Sequence, residues 1–174
     1  IFSVDDLFLK LKEHSIEMIS LTDHNIINIE AYENMLKKDI FTFVGVELDV
    51  AISEEELVKY ISNRESKNNE KIDIKPFHLL ILFKSQDYVN LNNKLDKMYS
   101  NISEKEFKNA IDLKENKKIR TTTFKYIVET FKDEDFFIIA HGNKDKGIVS
   151  PYLKKKCLKE AQYNILMGGI SALE

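Results

Sequence analysis

Short apolar runs of strand length alternate with amphipathic segments along this chain of 174 residues. The alternation is typical of an α/β protein with a mostly parallel sheet, in which ligands bind where the carboxyl ends of the strands meet. Strands are predicted at 16–21, 41–50, 77–83 and 136–140, with a last one beginning near 170. Helices are predicted at 3–14, 28–38, 54–63, 87–101, 104–114, 122–131 and 152–163. Functional residues are therefore expected at the ends of the strands.

The helix predictions depend on apolar spacing and on capping residues. Ser3 precedes apolar residues at positions 4, 7, 8 and 11, the spacing of one helix face, and is predicted to cap that helix. A stripe at positions 88, 91, 95, 98 and 102 predicts a core-facing helix, and Thr122 or Thr123 is predicted to cap the helix at 122–131. The polar stretch 63–75 is predicted to be a surface loop.

Composition excludes several functional classes. Lys and Arg number 26 against 29 Asp and Glu, so the net charge of −3 provides no strong field for a nucleic acid or a membrane surface. The single cysteine, Cys157, cannot form an internal disulfide, and no apolar run approaches the roughly 18 residues that span a bilayer. A cytoplasmic protein without a membrane partner is predicted. Lysines 154–156 are predicted to be one solvated helix face, so a nucleic-acid-binding module would lack a basic patch.

Three of the four histidines lie at predicted strand boundaries. His24 follows the first strand, His78 stands near the start of the strand at 77–83, and His141 follows the strand at 136–140. Glu47 stands inside an otherwise apolar strand, where a carboxylate is costly unless it is paired or binds a cation. Imidazoles and carboxylates together are the ligands of hydrolytic zinc, manganese and iron sites. These four residues are therefore candidate metal ligands.

Structural roles account for the same residues taken one at a time. A single histidine beside an apolar strand is more often a hydrogen-bonded core residue than a ligand. Glu47 has Lys144 and Lys146 as candidate ion-pair partners, and His14 stands at a helix end, where a cation complements the dipole. Gly45 is expected where the backbone passes close to a crowded site. Spacing alone leaves the metal site and these structural roles open.

Four short motifs resemble, in the same order along the chain, those of the PHP (polymerase and histidinol phosphatase) superfamily. Thr-Asp-His-Asn at 22–25 resembles a motif that ends a strand in that family, and Val-Gly-Val-Glu at 44–47 resembles its Gly-hydrophobic-Glu motif. Phe-His-Leu-Leu at 77–80 and Ile-Ala-His-Gly at 139–142 resemble its two later histidine motifs. The last motif is most similar to PHP modules at the amino terminus of larger proteins that contain a P-loop ATPase region.

The resemblance implies a distorted seven-stranded β/α barrel with up to three metal ions at the carboxyl ends of its strands. It implies that Glu47 bridges two metals, that His78 and His141 share one of them, and that His24 binds another. Asp23 and Asn25 are implied to contact the ligands or the substrate. The family's first motif, Asp-x-His-x-His, and its last, Asp-x-His, are absent. Residues 1–174 are therefore predicted to form one domain, a partial barrel that lacks its first and last metal-ligand strands.

The leading hypothesis is a metal-dependent phosphoesterase that hydrolyses a phosphorylated small molecule or a nucleic acid with a metal-activated water. Its catalytic residues would be Asp23, His24, Glu47, His78 and His141, and its cofactors zinc, manganese or iron. Lys144, Lys146 and Arg120 are candidates for steering an anion, although solvated surface is the commoner role of such residues. The alternative is a non-catalytic PHP scaffold or regulatory domain, with an ATPase domain elsewhere in the same polypeptide.

Overall fold

A computed structural model describes residues 3–51, 53–65, 76–106, 120–131, 135–140 and 172–173. Its helices are α1 (Val4–Glu13), α2 (Ile29–Leu36), α3 (Glu54–Glu65), α4 (Tyr88–Glu106) and α5 (Phe124–Phe131). Its strands are β1 (Met18–Leu21), β2 (Phe41–Ala51), β3 (Phe77–Phe83), β4 (Thr121–Thr123), β5 (Asp135–Ile139) and β6 (Ala172–Leu173). Helices and strands alternate along most of the described chain, as predicted.

Most predicted elements are found close to their predicted bounds. Ser3 caps α1 in a capping box, in which its hydroxyl accepts from the Asp6 N–H and the Asp6 carboxylate accepts from the Ser3 N–H. Helix α4 continues through 104 to Glu106, so the prediction of a new helix starting at 104 is wrong. Strand β4 was not predicted, because three threonines resemble capping residues as much as a strand. Helix α3 continues through 63 to Glu65, so the prediction of a surface loop at 63–75 is wrong for its first three residues. The rest of that loop, at 66–75, and the helix at 152–163 lie outside the described residues.

The six strands form one sheet in the order β1-β2-β3-β5-β6, with β4 also paired to β2. Strands β1 and β4 run parallel to β2, and β6 runs parallel to β5, but β3 is antiparallel to both β2 and β5. The sheet is therefore mixed, and the expectation of a mostly parallel sheet is wrong for β3. The reason is that a nearly continuous apolar run such as β3 has the pattern of a buried parallel strand and does not encode its own direction. A seven-stranded barrel is not formed by the described residues.

Strand β2 pairs with three other strands, β1, β3 and β4, and its two faces differ. Val44, Val46, Leu48 and Val50 alternate along one face and are fully buried in the main hydrophobic core, together with the apolar stripe of α4. The other face carries residues 45, 47 and 49. Burial of the first face fixes the register of β2, and hence which residues the second face presents.

Buried Tyr32 of α2 joins β1 to β2. Its hydroxyl accepts from the Gly45 N–H at 2.8 Å and lies within donating distance of the carbonyl oxygens of Leu21 and Phe43. A Cβ at Gly45 would collide with Ser20 Oγ and lie 3.1 Å from the Ile81 carbonyl oxygen. The expected close approach at Gly45 is therefore present, but β1 and β3 cause it, and the candidate ligands do not. No described helix is both long enough and apolar enough to cross a membrane.

Candidate metal centre

Two carboxylates and one imidazole come together through the register of β2 and β3. Glu47 and Asp49 are two residues apart on β2, so their side chains point to the same face of the sheet. His78 is the direct cross-strand partner of Asp49, and Leu80 is the partner of Glu47. Because β3 is antiparallel, its start lies beside the end of β2. The reversed direction of β3 is thus what brings a histidine at the start of a strand to this edge.

His24 reaches the same place from the other edge of β2. Beyond the end of β1, the Glu47 N–H donates to the Asp23 carbonyl at 3.1 Å and the Asn25 N–H donates to the Glu47 carbonyl at 2.7 Å. These bonds form an isolated parallel bridge between His24 and Glu47. Residues 22–25 therefore occupy the edge of β2 between β1 and β4, with His24 beside Glu47.

Each of the two imidazoles faces both carboxylates. His78 Nδ1 lies 2.7 Å from Glu47 Oε1, and His78 Nε2 lies 3.2 Å from Asp49 Oδ1. His24 Nδ1 lies 3.5 Å from Glu47 Oε2, and His24 Nε2 lies 3.0 Å from Asp49 Oδ2. The ring centroids are 5.0 Å apart in an edge-to-face arrangement. Both Nε2 atoms thus face Asp49, and both Nδ1 atoms face Glu47.

The donor set fits a divalent cation. His24, Asp49 and His78 each offer one ligand atom, and these atoms lie within 4.8 Å of one another. A neutral imidazole has one N–H and one lone pair, so it can donate to only one of two carboxylates that face it. The other nitrogen then points its lone pair at a negatively charged carboxylate oxygen, and the two repel each other. A cation among the nitrogen and oxygen atoms turns this repulsion into coordination, and imidazole with carboxylate suits zinc, manganese or iron.

The members of the cluster, defined as His24, Glu47, Asp49 and His78, differ in their exposure to solvent. The side chain of His78 is 8% exposed and those of both carboxylates are 20% exposed, whereas that of His24 is 43% exposed. A ligand entering from solvent therefore meets His24 first. The buried His78 lies on the sheet side, where its position is fixed by ladder hydrogen bonds of β3.

Sequence reasoning named some members of this cluster and missed another. The structure brings His24, Glu47 and His78 together, and it adds Asp49, which the sequence analysis did not single out. An acidic residue two positions after Glu47 on the same strand face was the signal that could have identified it.

Asp23 contributes to the cluster through its backbone. Its side chain is exposed, whereas its carbonyl accepts from the Glu47 N–H. Burial raises the pKa of the Tyr32 hydroxyl to about 12, and the negative charge of Asp23 makes a smaller contribution in the same direction. Asp23 belongs to no metal-ligand group within the described residues.

Other candidates from the sequence have different outcomes. His141, Lys144 and Lys146 lie outside the described residues, whereas Glu47 is paired with the two histidines. Arg120 is not solvated surface, because its Nη1 donates to the Asn25 carbonyl at 3.0 Å and its Nη2 lies 3.1 Å from Asp96 Oδ1. Its guanidinium is therefore engaged with protein groups beside the cluster.

Comparison with known proteins identifies the fold. No family model matches the chain, and no curated protein matches it significantly. A solved structure from Bifidobacterium adolescentis, assigned as a metal-dependent phosphoesterase, matches with a TM-score of 0.54 and 12% identity over 100% of this chain and 72% of that one. An amidohydrolase from Chromobacterium violaceum, with bound sulfate and no metal, matches with a TM-score of 0.53 and 12% identity over 99% of this chain and 71% of that one. The chain therefore shares a mixed α/β fold with these two proteins.

Proposed function

We propose that the chain is a metal-dependent phosphoesterase module of the PHP type. The observation that carries the proposal is the cluster itself, in which two histidines and two carboxylates converge on one sheet face. Two further facts support it. The fold is shared with a protein assigned as a metal-dependent phosphoesterase, and the four PHP-like motifs include three of the four cluster residues.

In this proposal His24, Asp49 and His78 hold a divalent ion of zinc, manganese or iron. The ion, when bound, supplies Lewis acidity that lowers the pKa of water and neutralises negative charge on a phosphoryl oxygen. With both Nε2 atoms directed toward Asp49, the Nδ1–H of each ring is placed to donate to Glu47, which fixes the tautomer and orientation of both ligands. Glu47 thus orients the two histidine ligands, and it is itself a further candidate ligand of the ion.

The exposed flank of the cluster is where a substrate would enter. His24 is the most exposed cluster residue, so an anionic phosphoester reaching the site contacts its side of the cluster before the buried His78. His141 is proposed as an additional ligand on the strength of its motif alone. A phosphorylated small molecule and a nucleic acid are both candidate substrates. A cytoplasmic location and an ATPase domain in the same polypeptide are proposed on the sequence pattern alone.

A second candidate function is metal-dependent hydrolysis of an amide bond. The specific observation in its favour is the match to an amidohydrolase, at a TM-score of 0.53 against 0.54 for the phosphoesterase. The same cluster serves both reactions, because each requires an activated water and stabilisation of a developing oxyanion. The Thr-Asp-His-Asn motif favours the phosphoester.

The first test is metal binding. The purified 174-residue chain, stripped with chelator and titrated with Mn²⁺ or Zn²⁺ in a calorimeter, is expected to bind at least one equivalent. Asp49→Asn is expected to weaken this binding strongly. Asp39→Asn is the matched control, because the Asp39 carboxylate is fully exposed and pairs with Lys12 of α1. Binding that is absent, or that is unchanged by Asp49→Asn, would contradict the proposal.

The second test is reaction type. The metal-loaded chain is expected to release p-nitrophenol from p-nitrophenyl phosphate or bis-p-nitrophenyl phosphate, and not to hydrolyse p-nitroanilide amides. His14→Ala removes the exposed histidine that caps the carboxyl end of α1 and is expected to leave the rate unchanged. Hydrolysis of the amide alone would favour the second candidate. Metal binding without any hydrolysis would favour a non-catalytic scaffold.

A further inference from the structure

Asn25, the residue after His24, holds Asp49 at two points. Its Oδ1 accepts from the Asp49 N–H at 2.9 Å, and its Nδ2 donates to Asp49 Oδ2 at 3.2 Å. A backbone N–H can only donate, so the first contact assigns Oδ1, and the NH₂ group must then face the carboxylate. Asp49 Oδ2 is therefore shared between Asn25 Nδ2 and His24 Nε2, and the rotation of this carboxylate is fixed from outside the cluster.

The backbone of Asn25 has the conformation of a tight turn. Its φ of 60° lies in the left-handed region, which asparagine tolerates better than most residues that have a Cβ. The residue is 8% exposed although both its amide and its backbone are polar. A buried polar residue at this φ persists only where its hydrogen bonds are satisfied by the surroundings.

Two residues from distant parts of the chain supply those hydrogen bonds. The Tyr99 hydroxyl of α4 donates to Asn25 Oδ1 at 3.2 Å, and Arg120 Nη1 donates to the Asn25 carbonyl at 3.0 Å. Arg120 is held in turn by Asp96 of α4, at 3.1 Å, and its guanidinium lies 5.6 Å from the centre of the Tyr99 ring. Burial raises the pKa of Tyr99 far above its usual value, so its hydroxyl stays protonated and remains a donor.

We propose that Tyr99 and Arg120 are positioning residues of the metal cluster, which act through Asn25 to hold Asp49 in its ligating orientation. The inference rests on the proposed function, because it concerns the same cluster. The hydrogen bonds described above join both side chains to Asn25, and the charge of Asp49 also contributes to the raised pKa of Tyr99, so each is placed to act mainly through Asn25. Outer residues that orient ligands typically contribute about 10- to 100-fold to metal affinity, and residues one step further out are expected to contribute about tenfold or less.

The alternative role for the same contacts is to fasten α4 to the sheet. A fastening role predicts that substitutions lower the unfolding temperature and leave metal affinity unchanged in the folded protein. A positioning role predicts that metal affinity falls while the protein is still fully folded. Affinity measured well below the unfolding temperature therefore separates the two roles.

Three variants and one control make this test. Tyr99→Phe removes one hydroxyl and keeps the ring, so it is the least disruptive change. Arg120→Ala removes the contacts of the guanidinium with the Asn25 carbonyl, Asp96 and the Tyr99 ring. Arg120→Lys keeps the charge but can contact either the Asn25 carbonyl or Asp96, and not both. Tyr88→Phe is the matched control, because Tyr88 starts the same helix and stacks on Tyr32 instead of contacting Asn25.

The readout is the Kd for Zn²⁺ and, separately, for Mn²⁺, by calorimetry on the metal-free chain. Tyr99→Phe is expected to raise Kd several-fold and Arg120→Ala about tenfold, with Arg120→Lys in between and Tyr88→Phe unchanged. In the double variant Tyr99→Phe with Arg120→Ala, the fold-increase in Kd is expected to be less than the product of the two single fold-increases, because both residues act through Asn25.

Each outcome decides one question. Wild-type binding with unchanged Kd in Tyr99→Phe and Arg120→Ala would overturn this inference and leave the proposed function standing. Equal increases in Arg120→Lys and Tyr88→Phe would also overturn it, since a general effect of substitution would then explain both. No binding by the unsubstituted chain would overturn the proposed function, and this inference with it.

Discussion

The two histidines of the cluster are held in place by different means. His78 lies on β3 in the middle of the sheet, opposite Asp49, where ladder hydrogen bonds and burial fix it. His24 lies beyond the end of β1 on a short segment, and its neighbour Asn25 is held by side chains from α4 and from Arg120. A ligand on a strand is thus positioned by the fold, whereas a ligand beyond a strand needs its own set of supporting contacts.

The largest expected effects come from removing the imidazole ring of either cluster histidine. His78→Ala and His24→Ala are both expected to weaken Zn²⁺ or Mn²⁺ binding by more than about 100-fold, since losing a ligand exceeds losing an orienting group. His78→Ala is expected to destabilise the metal-free protein by about 1–3 kcal/mol, and more than His24→Ala, because the His78 side chain is buried at 8% exposure whereas that of His24 is 43% exposed. Calorimetry and thermal unfolding of both variants measure these effects. Equal loss of stability in the two variants would contradict the proposed difference in how the two histidines are held.

The next effect concerns the close packing of β2 against β1, the strand that leads to His24. Gly45→Ala is expected to destabilise the fold by about 1–3 kcal/mol, because its Cβ would collide with Ser20 Oγ and crowd the Ile81 carbonyl. Adding Ser20→Ala removes the collision with Oγ but leaves the crowding of the Ile81 carbonyl. Only part of the lost stability is therefore expected to be recovered. Urea unfolding of the single and double variants measures the free energies. An unchanged free energy of unfolding in Gly45→Ala would show that β1 can shift without cost.

The smallest effect concerns Tyr32, which joins β1 to β2. Tyr32→Phe is expected to cost about 1–2 kcal/mol at pH 8 through the lost hydrogen bonds, with Tyr88→Phe as the control. The pKa of Tyr32 is raised to about 12 by burial, above its ordinary value of 10.0, so the folded state favours the neutral hydroxyl. The stability that this raised pKa contributes to the folded state is fully present below pH 10 and is lost as the pH rises toward 12.

The stability gap between wild type and Tyr32→Phe should therefore narrow above pH 10. Tyr99 is also shifted upward, but it is present in both proteins and cancels in the comparison. Urea unfolding at several pH values between 8 and 11.5 measures the gap. A constant gap over this range would show that Tyr32 ionises equally in the folded and unfolded chains.

Local sequence signals predicted most elements but not how the chain pairs them. Apolar runs and capping residues located β2, β3 and α1 closely, because periodicity and capping act over a few residues. The direction of β3 depends on pairing with β2 and is not encoded in its own apolar run. The contact between Arg120 and Asn25 joins residues 95 positions apart, so no local pattern could predict it.

The same distinction applies to the cluster. His24, Glu47 and His78 stood out because polar groups are unusual beside or inside apolar strands. Asp49 was missed because an acidic residue close to the end of a strand usually points to solvent, and only its pairing with His78 shows otherwise. Asn25 was named as a contact residue, but its left-handed backbone and its bond to Tyr99 required the three-dimensional structure.

The most direct test of the metal centre is anomalous X-ray scattering from crystals of the chain soaked in Zn²⁺ or Mn²⁺. An anomalous peak is expected among His24, Asp49 and His78, at coordination distances of about 2.0–2.2 Å from their ligand atoms. The peak is expected to disappear in Asp49→Asn crystals and to persist in Asp39→Asn crystals. A peak elsewhere on the molecule with none at the cluster, or a peak at the cluster that survives Asp49→Asn unchanged, would contradict the proposed metal centre.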